Sequence, residues 1–284
     1  MGSSEESRDF WTSKQYATSA AFVPQLTQKV VQYLAVEEND RILDLGCGDG
    51  ILTAQIASAL KSGYILGLDA SPSMIQSAQH AYPTLTHPRC EFRVKDCTQL
   101  IEGPSRDGAI DGTWDKVFSN AALHWILRSP STRLSVLEAA YRALKPGGTF
   151  VFEMGGAGNV SEIHAALTAG LLHFGCPLET ARAASPWFFP SDAWMKNALE
   201  GVGFTVDKVE LEYRPTKLTE AQNGGLEGWV KLFGASVLDH VEESKRDECV
   251  GWVSALLQTI VTREEDGSQW LGYVRLRGVA TKGA

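Results

Sequence analysis

The chain has 284 residues, of which 44% are hydrophobic and 21% are charged, as is usual for a globular protein rather than a disordered or fibrous one. Its 34 acidic and 26 basic side chains give a formal net charge of −8, with no Lys/Arg cluster of the kind that follows phosphates. The length suffices for one large domain, and the charge disfavours a nucleic-acid partner and favours a small molecule.

The N-terminal segment has no apolar region of the kind found in a secretory signal. No run of 18 apolar residues follows anywhere in the chain, so we expect no membrane span and a cytoplasmic location. The five cysteines form no C-x-x-C pair and no zinc-like grouping with histidine, so we expect reduced thiols and no metal site. One or two helices are predicted within residues 8–35, ahead of the first strand.

The most informative segment is 41–50, where an apolar strand leads into a glycine-rich turn. Gly46, Gly48 and Gly50 form a G-x-G-x-G pattern, and apolar residues at helical spacing follow over 51–60. A strand, a tight glycine turn and a helix together let the backbone approach a nucleotide-like ligand closely.

The details of this turn limit the choice of ligand. A dinucleotide site would need a third glycine where Ile51 stands, and a phosphate-binding loop would need a Gly-Lys-Ser/Thr ending, which is missing. Asp44, just before the turn, is poorly placed for a phosphate. The negative charge of Asp44 favours a cationic or hydroxyl-rich ligand. The alternative for the whole glycine motif is a tight strand–helix turn that binds no ligand.

Polar side chains also end the next predicted strands. A second strand over 63–69 ends in Asp69, a third over 90–95 precedes Asp96 and Cys97, a fourth over 114–118 precedes Ser119 and Asn120, and a fifth covers 148–154. Alternating strands and helices indicate a parallel α/β sheet with right-handed crossovers. Ligands of such sheets bind at the carboxyl ends of the strands, so these side chains are expected to share one site.

Beyond residue 154 the pattern becomes more helical. Helices are predicted at 161–174, at 191–200 and within 217–263, and strands at 204–213 and 269–279. An aromatic stretch bounded by prolines, 185–190, lies between the first two of these helices.

These motifs resemble those of the class I S-adenosylmethionine-dependent methyltransferases. The resemblance rests on segments 43–50, 67–69, 95–97, 119–120 and 144–148. A looser similarity to the trans-aconitate 2-methyltransferase and juvenile-hormone-acid methyltransferase branch rests on segments 120–125, 228–233 and 273–277.

The resemblance implies a Rossmann-like, seven-stranded, mostly parallel sheet with helices on both faces and an antiparallel last strand. It implies a single domain over residues 1–284 with a cofactor-binding core at 36–154. Segments 8–35, 156–190 and 214–267 would form a lid above the strand ends.

The resemblance also implies S-adenosylmethionine as the cofactor. Its expected binding residues are Asp44, Gly46, Gly48, Asp69, Ala70, Met74, Asp96, Cys97, Asn120 and Ala121. Asp69 would accept hydrogen bonds from the ribose hydroxyls, Asp96 from the adenine amino group, and Met74 would pack on the adenine or belong to the core.

His124 is the candidate catalytic residue. A reference pKa of about 6.5 suits proton exchange or charge pairing with a carboxylate, and a histidine held inside the fold is the alternative. The candidate substrate pocket consists of Tyr16, Trp125, Trp187, Trp229 and Phe233, although the aromatic residues could equally be core. No cluster of arginines that would hold a tricarboxylate is evident, and Arg128 and Arg182 are the only obvious candidates near the predicted lid.

The sequence therefore predicts a methyltransferase that acts on a carboxylate or hydroxyl oxygen of a small molecule. We expect no nucleic-acid or membrane partner and a monomer or homodimer. The alternatives are a methyltransferase-fold catalyst of a non-methylating reaction, such as a cyclase, and a cofactor-sensing module.

Overall fold

The computed structural model describes residues 27–101, 109–220 and 224–284. The strands are β1 (Arg41–Leu45), β2 (Tyr64–Asp69), β3 (Cys90–Val94), β4 (Trp114–Asn120), β5 (Leu144–Gly155), β6 (Phe204–Lys217) and β7 (Trp270–Lys282). The α-helices are α1 (Gln28–Leu34), α2 (Ile51–Ala57), α3 (Pro72–Ala81), α4 (Leu123–Ile126), α5 (Arg133–Ala143), α6 (Ser161–His173), α7 (Leu178–Ala183), α8 (Asp192–Val202), α9 (Gly225–Phe233), α10 (Ala235–Leu238) and α11 (Arg246–Val261).

The seven strands form one sheet in the order β3-β2-β1-β4-β5-β7-β6. Strands β1 to β5 pair in parallel, whereas β7 lies between β5 and β6 and pairs antiparallel with both. This topology confirms the predicted seven-stranded, mostly parallel, Rossmann-like sheet with an antiparallel last strand.

Helices cover both faces of the sheet because the inner strands are apolar on both sides. Helices α5 and α8 pack on one face through buried residues such as Leu137 and Leu199. Helices α1, α2 and α3 pack on the other through residues such as Val30, Ile56 and Ile75. The central strands are thereby removed from water, and their carboxyl ends form a common edge.

A third group of helices consists of α6, α7, α9, α10 and α11. These helices have an apolar core of their own, which includes Ile163, Leu167, Val230 and Val253. Helix α6 packs along α11 in this group, and α9 also contacts α11. The group falls within the two segments that the sequence assigns to a lid.

Two differences from the sequence prediction concern the predicted lid segments. Strand β6 continues to Lys217 instead of ending at Tyr213, so residues 214–217 belong to the sheet and not to a lid segment. Strand β6 is at the edge of the sheet, where Pro215 is tolerated although it cannot donate a hydrogen bond, and this proline obscures the strand pattern. Residues 27–35 are the part of the predicted lid segment 8–35 that the structure describes. Their helix α1 packs against a face of the sheet through Val30 and Leu34, so α1 is not part of a lid.

None of the helices in the described parts of the chain has both the length and the apolar character needed to cross a bilayer.

Candidate functional site

One cavity at the carboxyl edge of the parallel strands contains every predicted site residue that the structure describes. Its lining includes Asp44, Gly46, Gly48, Asp69, Ala70, Met74, Asp96, Cys97, Asn120, Ala121, His124, Trp125, Trp187, Trp229 and Phe233. Tyr16 lies outside the described residues. The glycine turn, the acidic strand ends and the aromatic residues therefore share a single site.

The glycine turn after β1 is fixed by backbone hydrogen bonds. The N–H groups of Gly46 and Cys47 both donate to the carbonyl oxygen of Leu68, at 2.8 and 3.0 Å. Gly46 and Gly48 have φ angles of +80° and +57°, a left-handed conformation that only glycine adopts without strain. The turn thus depends on glycine at both positions.

Asp69 joins two turns through its carboxylate. Its Oδ2 accepts the N–H of Gly48 and its Oδ1 accepts the N–H of Ser71, both at 2.9 Å. Ser71 in turn caps α3 by accepting the N–H of Met74, and Pro72 occupies the first helical position, as the sequence predicts. The cavity wall here is therefore a hydrogen-bonded unit centred on Asp69.

Asp96 begins a short 3-10 helix, Cys97–Gln99. Its Oδ1 accepts both the N–H and the hydroxyl of Thr98, each at 2.8 Å. Cys97 is buried beside it, and burial raises the pKa of the Cys97 thiol well above its usual range. Burial likewise raises the pKa of the Cys47 thiol, so both thiols stay protonated and unreactive.

Asp44 lies beneath the glycine turn and is 3% exposed. Thr53 of α2 donates its hydroxyl to Asp44 Oδ2 at 2.7 Å. Burial disfavours the charged form and raises the pKa of Asp44 to about 7 despite this hydrogen bond. Asp44 is therefore partly protonated near neutral pH in the ligand-free protein.

This pKa leads to a prediction about stability. Because the folded-state pKa of about 7 lies above the unfolded value of 3.8, the native state holds the proton more tightly. That stabilisation is present in acid and is lost as the pH rises through 7. Relative to the wild type, Asp44→Asn is expected to gain about 2 kcal/mol of unfolding free energy between pH 5 and pH 8. Denaturant unfolding at both pH values measures it, and an equal difference between the two proteins at pH 5 and 8 would contradict the assigned pKa.

The end of β4 brings a polar atom and a strained residue to the cavity. The Oδ1 atom of Asn120 is buried and accepts no hydrogen bond from the described residues. Ala121 follows with φ at +55°, the left-handed region, and its N–H donates to the carbonyl of Glu153 at 2.8 Å. This turn directs the chain into α4, which carries His124 and Trp125.

His124 is buried, and its ring is fixed by the backbone of β5. The N–H of Gly155 donates to Nδ1 of His124 at 3.3 Å. Burial, followed by the positive charge of Arg275, lowers the pKa of His124 to about 3. The ring is therefore neutral at physiological pH in the ligand-free protein, which disfavours charge pairing of a cationic His124 with a carboxylate.

Aromatic rings form the wall opposite the glycine turn. Trp187 is central: its ring centroid lies 5.6 Å from that of Trp125, 5.8 Å from Phe189 and 6.2 Å from Trp229. The Trp229 and Phe233 rings are 4.8 Å apart. Trp187 and Trp229 belong to the apolar core of the third helix group and also line the cavity. The two residues therefore combine the core role and the pocket role that the sequence left as alternatives.

Strand β7 adds two cavity residues that the sequence prediction missed, Tyr273 and Arg275. Trp229 donates its indole N–H to the Tyr273 hydroxyl at 2.7 Å, which ties α9 to the sheet. The expected arginines, Arg128 and Arg182, are exposed and do not line the cavity. Strand alternation places residues 273, 275 and 277 on one face of β7. The sequence does not show which face of β7 borders the cavity, so the pattern alone could not identify Arg275.

No group of three or more His, Cys, Asp or Glu side chains within residues 27–101, 109–220 and 224–284 is arranged to hold a metal ion.

Comparison with known proteins shows similarity in sequence to methyltransferases. A methyltransferase-domain family model matches residues 42–148. An uncharacterized methyltransferase of Schizosaccharomyces pombe is 38% identical over 279 residues, which cover 96% of this chain and 98% of that protein. A trans-aconitate 2-methyltransferase of Methylobacterium nodulans is 28% identical over 282 residues, which cover 96% of this chain and 98% of that protein.

Solved structures share the fold at lower identity. Phosphoethanolamine N-methyltransferase 2 of Haemonchus contortus, in complex with S-adenosyl-L-methionine, matches with a TM-score of 0.54 at 20% identity, over 92% of this chain and 53% of that chain. The [4+2]-cyclase SpnF matches with a TM-score of 0.55 at 17% identity, over 98% of this chain and 86% of that chain. The shared fold is thus compatible with more than one kind of reaction.

Proposed function

The chain belongs to the class I S-adenosylmethionine-dependent methyltransferases, and we propose that it methylates an oxygen atom of a small-molecule acceptor. Its cofactor is S-adenosylmethionine, which supplies a methyl group activated by a positively charged sulfur. The observation that carries the proposal is the single cavity, in which the glycine turn and the acidic strand ends face an aromatic wall.

The residues at the glycine-turn end of the cavity fit this cofactor. Asp69 and Asp96 offer carboxylate oxygens, which suit a ligand that carries ribose hydroxyls, amino groups and a positive charge. The buried Oδ1 of Asn120 needs an N–H or O–H donor from a ligand to be satisfied. The open left-handed turn at Gly48 allows a ligand close to the backbone.

We assign the cofactor contacts accordingly. Asp69 accepts from the ribose hydroxyls, because its two oxygens are already oriented by backbone N–H groups. Asp96 would accept from the adenine amino group, the backbone N–H of Cys97 would donate to a ring nitrogen, and Met74 would pack on the adenine, since all three residues line the cavity. Ala70 lies beside Asp69 at the open end of the cavity.

The remaining contacts of the cofactor lie nearer the acceptor. Gly46 and Gly48 pass beside its amino-acid part, and Asp44 supports the turn from below through Thr53. Asn120 and Ala121 hold the same part from the β4 side. Together these residues would hold the cofactor with its methyl group toward the aromatic wall.

At the acceptor end the protein positions the nucleophile and excludes water. Such positioning lowers a barrier by about 7 kcal/mol or more when the reacting atoms are held in line. A carboxylate arrives ionised and needs no base, whereas a hydroxyl needs one. The buried His124 is a weak base, so a carboxylate acceptor is favoured, in agreement with the name of the Methylobacterium relative.

The lid helices complete the site in this proposal. In this proposal the chain forms one domain over residues 1–284, with a cofactor core at 36–154 and lid segments at 156–190 and 218–267. Residues 27–35 of the predicted segment 8–35 belong to the helix layer on the sheet. Trp187 and Trp229 connect the lid core to the cavity and shield the acceptor from solvent. The protein acts in the cytoplasm as a monomer or homodimer, without a nucleic-acid or membrane partner.

Incubation with methyl-labelled cofactor tests the proposal. The acceptor panel consists of trans-aconitate, succinate and phenylacetate, together with alcohols and phenols of similar size. We expect label in an O-methyl product of one class and none in boiled controls. Cofactor binding without label in any product would contradict methyl transfer to these acceptors.

A second candidate function is a non-methylating reaction such as a cyclisation, or cofactor sensing. The fold similarity to the [4+2]-cyclase is the observation that favours it. Tight cofactor binding with product formation from an unlabelled polyene, or with no turnover at all, would support this candidate instead.

A further inference from the structure

The cavity is divided by charge. Its glycine-turn end carries four carboxyl side chains, those of Asp44, Asp49, Asp69 and Asp96. At the other end, Arg275 is the single Lys or Arg side chain among the described residues that line the cavity. A cationic cofactor matches the acidic end, and the function proposed above places the acceptor at the other.

Arg275 is incompletely neutralised by the protein. Its Nε lies 3.4 Å from Glu153 Oε1 but forms no hydrogen bond with it. Glu153 is shared with Arg277, at 2.6 Å, and Arg214, at 3.2 Å, and Arg277 also pairs with Glu212 at 2.6 Å. The Glu153 carboxylate is thus shared by three guanidinium groups. Its longest contact is with Arg275, the arginine that lines the cavity.

The burial of Arg275 makes this charge effective. The residue is 4% exposed, and its guanidinium lies over the Tyr273 ring, 5.0 Å from the centroid. A buried positive charge with spare N–H donors interacts strongly with an anion, because little water screens it. A guanidinium and a carboxylate are both planar and can form two parallel hydrogen bonds.

His124 supplies a second donor beside Arg275. Its Nδ1 accepts the N–H of Gly155, which is the residue paired with Arg275 across the β5–β7 ladder. A neutral imidazole carries one N–H, so the proton of His124 must be on Nε2. Nε2 forms no hydrogen bond with the described residues, and the ring lines the cavity.

We propose that Arg275 and the Nε2–H of His124 form an anion subsite that binds a carboxylate group of the acceptor. The inference rests on the proposed function, since it requires the acceptor to occupy this end of the cavity. It assigns His124 to hydrogen-bond donation rather than to general base catalysis. It also accounts for specificity, because a carboxylate is attracted by Arg275 and repelled by the acids at the cofactor end.

Calorimetric titration of the full chain saturated with S-adenosylhomocysteine tests the subsite. The probes are trans-aconitate, succinate and phenylacetate, each compared with its neutral methyl ester. We expect at least one acid to bind at least tenfold more tightly than its ester. Arg275→Gln should weaken that acid about tenfold or more, and Arg275→Lys, which keeps the charge but not the planar fork, should weaken it less.

Two further variants separate local from general effects. His124→Asn keeps an acceptor for the Gly155 N–H but removes the Nε2–H, so acid affinity should fall about threefold to tenfold. Arg182→Gln removes an exposed arginine that pairs with Glu179 and should change nothing. The affinity for S-adenosylhomocysteine should remain within about twofold in all four variants, which also verifies folding.

The outcomes distinguish the subsite from the proposed function. The subsite is refuted if the wild type binds S-adenosylhomocysteine but no acid in preference to its ester, or if Arg275→Gln and Arg275→Lys bind the acid like the wild type. Acid binding that depends on Arg275 without any label transfer would keep the subsite and refute the methylation of these acids. Methylation of a neutral acceptor that is unaffected in Arg275→Gln would keep the methyltransferase and refute the subsite.

Discussion

Asp69→Ala is expected to weaken S-adenosylmethionine binding about a hundredfold. The carboxylate is assigned two ribose hydroxyls, and hydrogen bonds to a charged group contribute about 1.5–3 kcal/mol each. Its loss also frees the N–H groups of Gly48 and Ser71, which now orient the turn after β1 and the start of α3. Calorimetry with S-adenosylmethionine or S-adenosylhomocysteine measures the change.

Two variants act as controls for this prediction. Asp266 accepts the N–H of Ser268 at 2.9 Å, which is the same contact with the residue two positions later that Asp69 makes with Ser71. Asp266 is exposed and does not line the cavity. Asp266→Ala should leave cofactor affinity unchanged. Asp69→Asn keeps one acceptor oxygen and should bind with intermediate affinity, whereas wild-type affinity in Asp69→Ala would disprove the ribose assignment.

Gly46→Ala is expected to destabilise the protein by about 3 kcal/mol or more. The left-handed φ of +80° costs an alanine about 1–2 kcal/mol, and the added methyl group would overlap the Cβ atom of Ala122. Relieving such an overlap typically costs a further 1–3 kcal/mol. Denaturant unfolding of the ligand-free protein gives the difference.

Gly48→Ala provides the matched comparison. Its φ of +57° is also left-handed, but a methyl group there meets no atom within 4 Å. The expected loss of unfolding free energy is therefore the backbone cost alone, about 1–2 kcal/mol. Equal losses at the two positions would show that the close approach of the glycine turn to Ala122 has no energetic importance.

The cofactor end of the cavity was predictable from the sequence because its geometry is local. Asp69 and Asn120 end parallel strands and Asp96 lies two residues beyond one. Parallel strands joined by right-handed crossovers bring those ends to one edge. The capping role of Ser71 was likewise visible in a few neighbouring residues. No knowledge of long-range pairing was needed for any of these predictions.

The acceptor end could not be predicted in the same way. Arg275 reaches the cavity only because β7 enters between β5 and β6 in a register that pairs Arg275 with Gly155. A shift of one residue would turn the side chain to the other face of the sheet. The neutral state of His124 depends on the same assembly, since both its burial and the charge of Arg275 come from distant parts of the chain.

The position of β7 also has a consequence for the order in which the protein is made. Strand β7 is synthesised after every other strand of the sheet, yet it occupies an interior position between β5 and β6. The turn after β1 and the acids at 69 and 96 belong to the first half of the chain and are synthesised before the lid helices α6, α7 and α9 to α11. Arg275, on β7, therefore joins the cavity only after every residue of its cofactor end has been synthesised.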